Sequence, residues 1–235
     1  MPPTGRLTGS ASSKGRSHRR KLARSRRLFA FDRGLGSRLV AGADEAGRGC
    51  LAGPLVAAAV LLDYGSLSHA DRRALGGLHD SKQMSAERRE EIYPSVLRAA
   101  ARVSVVARCV RGIDARGLHV TNLGALAAAL ERLDVDPGSV SCLVDGFALP
   151  GCKVAHRAVI EGDGRSAAIA AASVLAKVTR DRYMHGAGAE HPGWGFEEHV
   201  GYSTPEHREA IGRIGISPLH RRSFRSVAYS QLGLL

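Results

Sequence analysis

The stretch AGADEAGRG, residues 41–49, sets two carboxylates, Asp44 and Glu45, side by side between apolar runs. LVAGA (39–43) leads in and PLVAAAVLL (54–62) leads out. Adjacent charges have no place in a buried strand, and a solvent turn has no use for apolar flanks. The pattern predicts two strands joined by a Gly-rich turn at which something is bound. Successive side chains of a strand point to opposite faces, so one ideal strand cannot aim both carboxylates at one ligand. Gly42, Gly47 and Gly49 would permit the distortion that could.

Downstream, strand and helix signals alternate. Segment 63–84 reads as a loop with one short helix. Ser85 is placed as the N-cap of a helix running to about Ala101, with Glu87, Glu90 and Glu91 toward its positive end. RVSVVARCV (102–110), SCLVD (141–145) and KVAHRAVI (153–160) read as strands. TNLGALAAALERL (121–133) and SAAIAAASVLAKVTRDRYM (166–184) read as helices. On the second helix Ala168, Ala171, Leu175 and Val178 form an apolar face, and Ser173, Lys177, Arg180 and Met184 form another. Residues 186–203 read as loop, and Thr204 with Pro205 starts a last short helix. This mixture predicts an α/β sheet with helices on its faces and a small helical C-terminal portion, about 186–235.

Charge divides the chain unevenly. Residues 1–39 hold eleven Lys/Arg and one acid, Asp32, whereas the remainder holds 23 against 21. Residues 1–38 therefore read as a disordered basic arm ahead of a catalytic domain at 39–235. Three readings of the arm stand: a phosphate-binding segment, an Arg- and Ser-rich transit peptide, or a solvated tail. No apolar run is long enough to span a bilayer. The four cysteines form no C-x-x-C pair, which argues against zinc and for a reducing, cytoplasmic setting. No apolar stripe calls for a partner, so a monomer is expected.

Four acids sit at or just past strand ends: Asp44, Glu45, Asp145 and Asp163. Singly they have plain readings. Asp145 could cap the turn GFALPG, and Asp163 could make an Asx-turn in EGDGRS. As a set converging on one sheet edge they would repel one another unless cations lay among them. Hard divalent cations take oxygen ligands, and Mg²⁺ in particular binds through few carboxylates plus substrate phosphate. Mg²⁺ or Mn²⁺ acting on phosphate is the economical account.

DEAGRG with LAGPLVAAAV, DSK (80–82), DGF (145–147), EGDGRSAAIAAASVLAKVTRDRYM and GYSTPEH (201–207) occur in one order. Together they resemble type 2 ribonuclease H (ribonuclease HII) from about residue 39 to 225. The resemblance implies a ribonuclease H-like mixed five-stranded sheet. It implies hydrolysis of RNA in RNA–DNA hybrids and incision at single ribonucleotides in duplex DNA, by two-metal hydrolysis giving 3′-OH and 5′-phosphate ends. Its four metal-binding acids fall on Asp44, Glu45, Asp145 and Asp163. Its Gly-Arg-Gly, which contacts the ribose 2′-OH, falls on Gly47, Arg48 and Gly49. Its junction-sensing tyrosine falls on Tyr202. Ser81, Lys82, Ser173, Lys177 and Arg180 align with positions near phosphates.

Two positions depart from that pattern. Cys50 stands where a proline commonly follows Gly-Arg-Gly, and Val200 where a lysine often precedes Gly-Tyr. The C-terminal SQLGLL is faintly like a sliding-clamp peptide. Two other readings remain open: a different metal-dependent nuclease of the same fold, and a non-catalytic nucleic-acid binder in which the arm does the binding.

Overall fold

In the computed structural model of the chain the described residues are 25–78, 81–136, 138–224 and 229. The segment 1–24, Asp80 of the DSK motif and SQLGLL lie outside them. The basic arm ends earlier than residue 38. Residues 25–33 form a helix (α1), and Leu28 and Phe29 are buried in the core. Asp32, the arm's one acid, is buried as well. It accepts from Tyr64 Oη (2.8 Å) and from the Ala168 amide (3.0 Å). The Leu-Phe-Ala-Phe run inside the basic stretch was the available sign of an apolar helix face.

A mixed five-stranded sheet is flanked by helices, as the α/β reading expects. The strands are β1 (Leu39–Ala46), β2 (Leu55–Asp63), β3 (Arg102–Arg108), β4 (Val140–Asp145) and β5 (Arg157–Val159), in spatial order β3-β2-β1-β4-β5. β1–β2 and β2–β3 are antiparallel, whereas β4 lies parallel to β1 and β5 parallel to β4. The helices are α2 (His69–Ala74), α3 (Ala86–Ala99), α4 (Val110–Arg116), α5 (Leu118–Glu131), α6 (Ala167–Glu190), α7 (Phe196–His199) and α8 (Pro205–Ile214). Ser85, Ser166 and Thr204 cap α3, α6 and α8 through their side-chain oxygens.

The sheet alternates its residues between two cores. Val40, Val56, Ala58, Val60 and Leu143 pack with α1, α3 and α6. Ala41, Ala43, Ala57, Ala59, Cys142 and Val144 pack with α5. Helix α6 lies hard against β1: a Cβ on Gly42 would come within 2.2 Å of the Ile169 amide nitrogen. Gly42 thus serves helix-on-strand contact rather than a bent strand. The strand expected over 153–160 shortens to β5, because His156 bonds back to the Leu149 amide and the Val154 carbonyl.

Candidate active site

Asp44 and Glu45 do leave β1 on opposite faces, as an ordinary strand requires. The ladder to β2 continues unbroken to Ala46, paired with Val56. The ladder to β4 stops at Ala43, paired with Val144. Beyond that point β1 and β4 part, and a cleft of about 580 Å³ opens between their carboxyl ends. Both acids reach this gap around the end of the sheet, so no distortion of the strand is needed. Asp44, Glu45, Asp145, Gly47, Arg48, Gly49, Ser81, Lys82, Lys177 and Tyr202 all line it.

Asp44 faces α6 and is 2 % exposed. Burial pushes its carboxyl well above the usual range, the charges of Asp145 and Glu45 push further, and a hydrogen bond from Ser173 opposes them. Ser173 does not line the cleft. It bonds Ser81 (2.7 Å) beneath the floor, joining α6 to the turn that carries Lys82. Glu45 faces α5 and Asn122. Burial raises its pKa too, opposed chiefly by Arg48. Asp145 accepts from the Gly162 amide (2.6 Å), which fixes the Gly162–Gly164 turn under it. Asp163 follows in that turn, 5 % exposed, and is not part of the cleft wall.

The donor set fits a hard divalent cation. Asp44 Oδ2 and Glu45 Oε2 are buried with no hydrogen-bond donor, and a buried carboxylate oxygen is costly without a positive partner. The acids are spread rather than closed: among the described residues no three His, Cys, Asp or Glu side chains stand close enough to hold one ion without moving. Like charges in one cleft push apart.

The Gly-Arg-Gly turn is held by residues far along the sequence. Gly47 has φ +89°, and a Cβ there would meet Arg180 Nε at 2.0 Å. Arg48 lays its guanidinium over the Phe147 ring at 4.7 Å, which gives the phenylalanine of the DGF motif a purpose.

Arg180 corrects the expectation of a phosphate contact. It is fully buried and donates to the carbonyls of Pro54, Val200 and Ala52, each at 2.9 Å. Met184, on the same face, is also buried. Only Lys177 of that face reaches the cleft, where burial lowers its pKa and Asp181 (2.7 Å) sustains its charge. Its Nζ stands 5.0 Å from the Tyr202 ring centroid. Cys50 is buried, its thiol pKa raised by burial and its Sγ hydrogen-bonded to Tyr202. Val200 takes φ +45° and supplies a carbonyl to Arg180.

Two groups escaped the sequence reading. Arg89 lines the cleft, donates to the Ser81 carbonyl (2.9 Å) and faces Asp181 (3.5 Å). A histidine chain holds Tyr202 from behind. His207 Nδ1 donates to the Tyr202 carbonyl (2.8 Å), so its Nε2 must accept from His220 Nε2 (3.0 Å). His220 Nδ1 in turn accepts from Ser217 N (2.8 Å). Both rings are therefore neutral. Burial depresses their pKa values to about 4 and about 3. His207 lies in GYSTPEH, the motif that also carries Tyr202.

The family model described as Ribonuclease HII matches residues 41–227. A curated Ribonuclease HII of Mycobacterium tuberculosis is 48 % identical over 188 residues, covering 80 % of this chain and 69 % of the relative. Among solved structures, the ribonuclease H2 of Pyrococcus horikoshii OT3 superposes with TM-score 0.68 and 26 % identity, covering 83 % of this chain and 98 % of the other. The RNase HII in the PCNA:RNase HII complex from Archaeoglobus fulgidus gives TM-score 0.66 and 27 % identity, with 80 % and 96 % covered. A gap between parted strands, lined by carboxylates and bordered by the Gly-Arg-Gly turn, thus sits in a sheet of the same kind, and the chain belongs to the ribonuclease HII family.

Proposed function

We propose that the chain is a metal-dependent endoribonuclease that hydrolyses RNA in RNA–DNA hybrids and incises 5′ of single ribonucleotides embedded in duplex DNA. The observation that carries this reading is the shared cleft of Asp44, Glu45 and Asp145 with the Gly47–Gly49 backbone and Tyr202. The 2′-hydroxyl is the group that separates RNA from DNA. Backbone amides beside the carboxylates can read it at the phosphate to be cut. Arg48 and Lys177 bring positive charge to the same cleft, and Tyr202, 39 % exposed, offers a ring face to the adjoining sugar.

Asp44, Glu45 and Asp145, with Asp163 beneath, would hold Mg²⁺ or Mn²⁺. Bound as a pair, such ions supply an activated water and charge against the leaving 3′ oxygen. Ser81 and Ser173 bond each other and are not nucleophiles in this scheme. The Archaeoglobus relative was solved with PCNA, and SQLGLL at 230–235 is the segment of this chain we assign to a similar clamp contact. A cytoplasmic setting fits four cysteines that are all free thiols.

The test is incision of an end-labelled duplex with one ribonucleotide, in Mg²⁺, in Mn²⁺ and in EDTA. Metal-dependent cutting on the 5′ side of the ribonucleotide is expected. Cutting of long hybrids alone would remove the junction role of Tyr202. Cutting of neither would leave only a binding protein.

A further inference from the structure

A second cleft, of about 630 Å³, lies where α1, α2 and the start of α3 meet. Arg26, Arg33, Arg72, Arg73 and Arg88 line it together with His69, and no carboxylate does. The nearby acids are already engaged. Asp71 caps α2 through Ser68, and Glu91 pairs with Arg88 at 2.7 Å. Arg72 Nε is buried without a hydrogen-bond partner. Arg88 is offset by Glu91, but the other four guanidiniums around the hollow raise the local potential and repel one another unless an anion lies between them.

This cleft shares a wall with the catalytic one. Arg88 and Arg89 are consecutive on α3, yet Arg88 faces the arginine cleft and Arg89 the catalytic cleft. Gly76 and Gly77 border the former, and Ser81 and Lys82 the latter. The arm cannot be the occupant, because residues 1–24 carry seven Lys/Arg and no acid. Ser25, the first described residue, is itself a lining residue.

We infer that the arginine cleft binds the phosphodiester backbone of the substrate duplex where it leaves the catalytic cleft over the Ser81–Lys82 turn. Arginine forks suit phosphate geometry. The contact reads no base and no 2′-hydroxyl, so it adds affinity on any duplex long enough to reach it. It rests on the reading above only for the position of the cut.

The experiment compares full-length wild type, the triple variant Arg26→Gln/Arg73→Gln/Arg88→Gln, and a charge-matched control, Arg98→Gln/Arg132→Gln/Arg213→Gln, all at exposed arginines. Binding to plain duplex DNA of about 30 base pairs is measured in EDTA across a salt series, where each lost phosphate contact lowers the log–log slope by about 0.9. The groove variant is expected to lose about 2–3 units of slope, the control less than 1. Incision of a short ribonucleotide-containing duplex at saturation should be equal in all three. Equal slopes for groove and control variants overturn the proposal. So does saturable binding of adenosine monophosphate that the groove variant loses while its duplex slope is unchanged, which would make the cleft a small-anion site. Because the slope is read on plain DNA, it judges the cleft even if wild type incises nothing.

Discussion

Replacing Arg180 with methionine distinguishes a phosphate contact from a structural tie. The side chain is buried and its donors meet the carbonyls of Ala52, Pro54 and Val200. Pro54 keeps a second donor, Arg221 Nη2 at 3.2 Å, so the change orphans two carbonyls outright and weakens a third. A buried polar group left without its partner costs about 1–3 kcal/mol. Methionine restores most of the apolar stem but none of the bonds, which puts the loss at about 3–5 kcal/mol. In a folded unit of this size each kcal/mol moves the midpoint by about 2–4 °C, so Tm should fall by about 6–20 °C. The slope of log binding against log salt should stay within the error of wild type. Thermal unfolding by circular dichroism and anisotropy titrations on a hybrid measure the two. A midpoint within about 2 °C of wild type, together with a slope reduced by about 0.9, would refute the assignment and return Arg180 to the phosphates.

Asp44→Asn should abolish incision while raising the metal-free Tm by about 2–4 °C, since burial and two neighbouring charges raise the pKa of Asp44 and ionising it costs stability. A metal-free Tm below wild type would mean its charge is stabilised locally. Tyr202→Ala should reduce incision at a single ribonucleotide at least tenfold more than cleavage of a long hybrid; equal losses in paired time courses would remove its role at the junction. Acid should loosen the C-terminal portion through His207 and His220. Both pKa values are depressed, to about 4 and about 3, so their stabilisation is complete above about 6.5, the unfolded value, and is lost as pH falls toward 4. Each histidine then costs up to about 1.4 kcal/mol per pH unit. His199, stacked on His207 at 4.1 Å, and Tyr229, edge-on to His220, face the pair. The double variant His207→Asn/His220→Asn should flatten Tm between pH 7 and pH 5, and an unchanged slope there would exonerate the pair.

Local pattern carried the strands and caps into view. Burial on both faces is legible in the continuous apolar runs around Asp44 and Glu45. Ser85 and Thr204 signal their helices because a cap is a short-range bond. Facing geometry was less legible. Counting by fours and threes put Arg180 beside Lys177, but only the position of residues 52–54 and 200 decides that one is sealed and the other open. Helix α6 runs on to Glu190, past Gly186 and Gly188, which weaken the helical pattern. Gly188 is instead where α7 packs, with Glu197 at 2.5 Å from a Cβ placed there. Asp44 and Glu45 posed a problem of opposite faces that one strand's sequence could not resolve. The answer lies in where the ladder to β4 ends, a pairing between segments about a hundred residues apart.

Arg221 donates to the carbonyls of Arg48, Gly53 and Pro54, and its own amide donates to Leu51. The Gly53 amide meets the Leu219 carbonyl, and Ala52 pairs with His220 across an isolated bridge. The loop that begins at the first motif is thus fastened by residues synthesised about 170 positions later. On the ribosome, β1 to β3 can pair early, since their ladders are sequential. β1 waits for β4, and the Gly-Arg-Gly turn waits longer still, until residue 221 has left the exit tunnel. A chain arrested before that point carries all four acids yet lacks the fastening of its Gly-Arg-Gly turn. Synthesis order therefore defers closure of this loop until residue 221 has been made, and long-range closure of this kind folds slowly. A nonsense truncation ahead of Arg221 should yield a sheet with its carboxylates in place and a slack Gly-Arg-Gly turn.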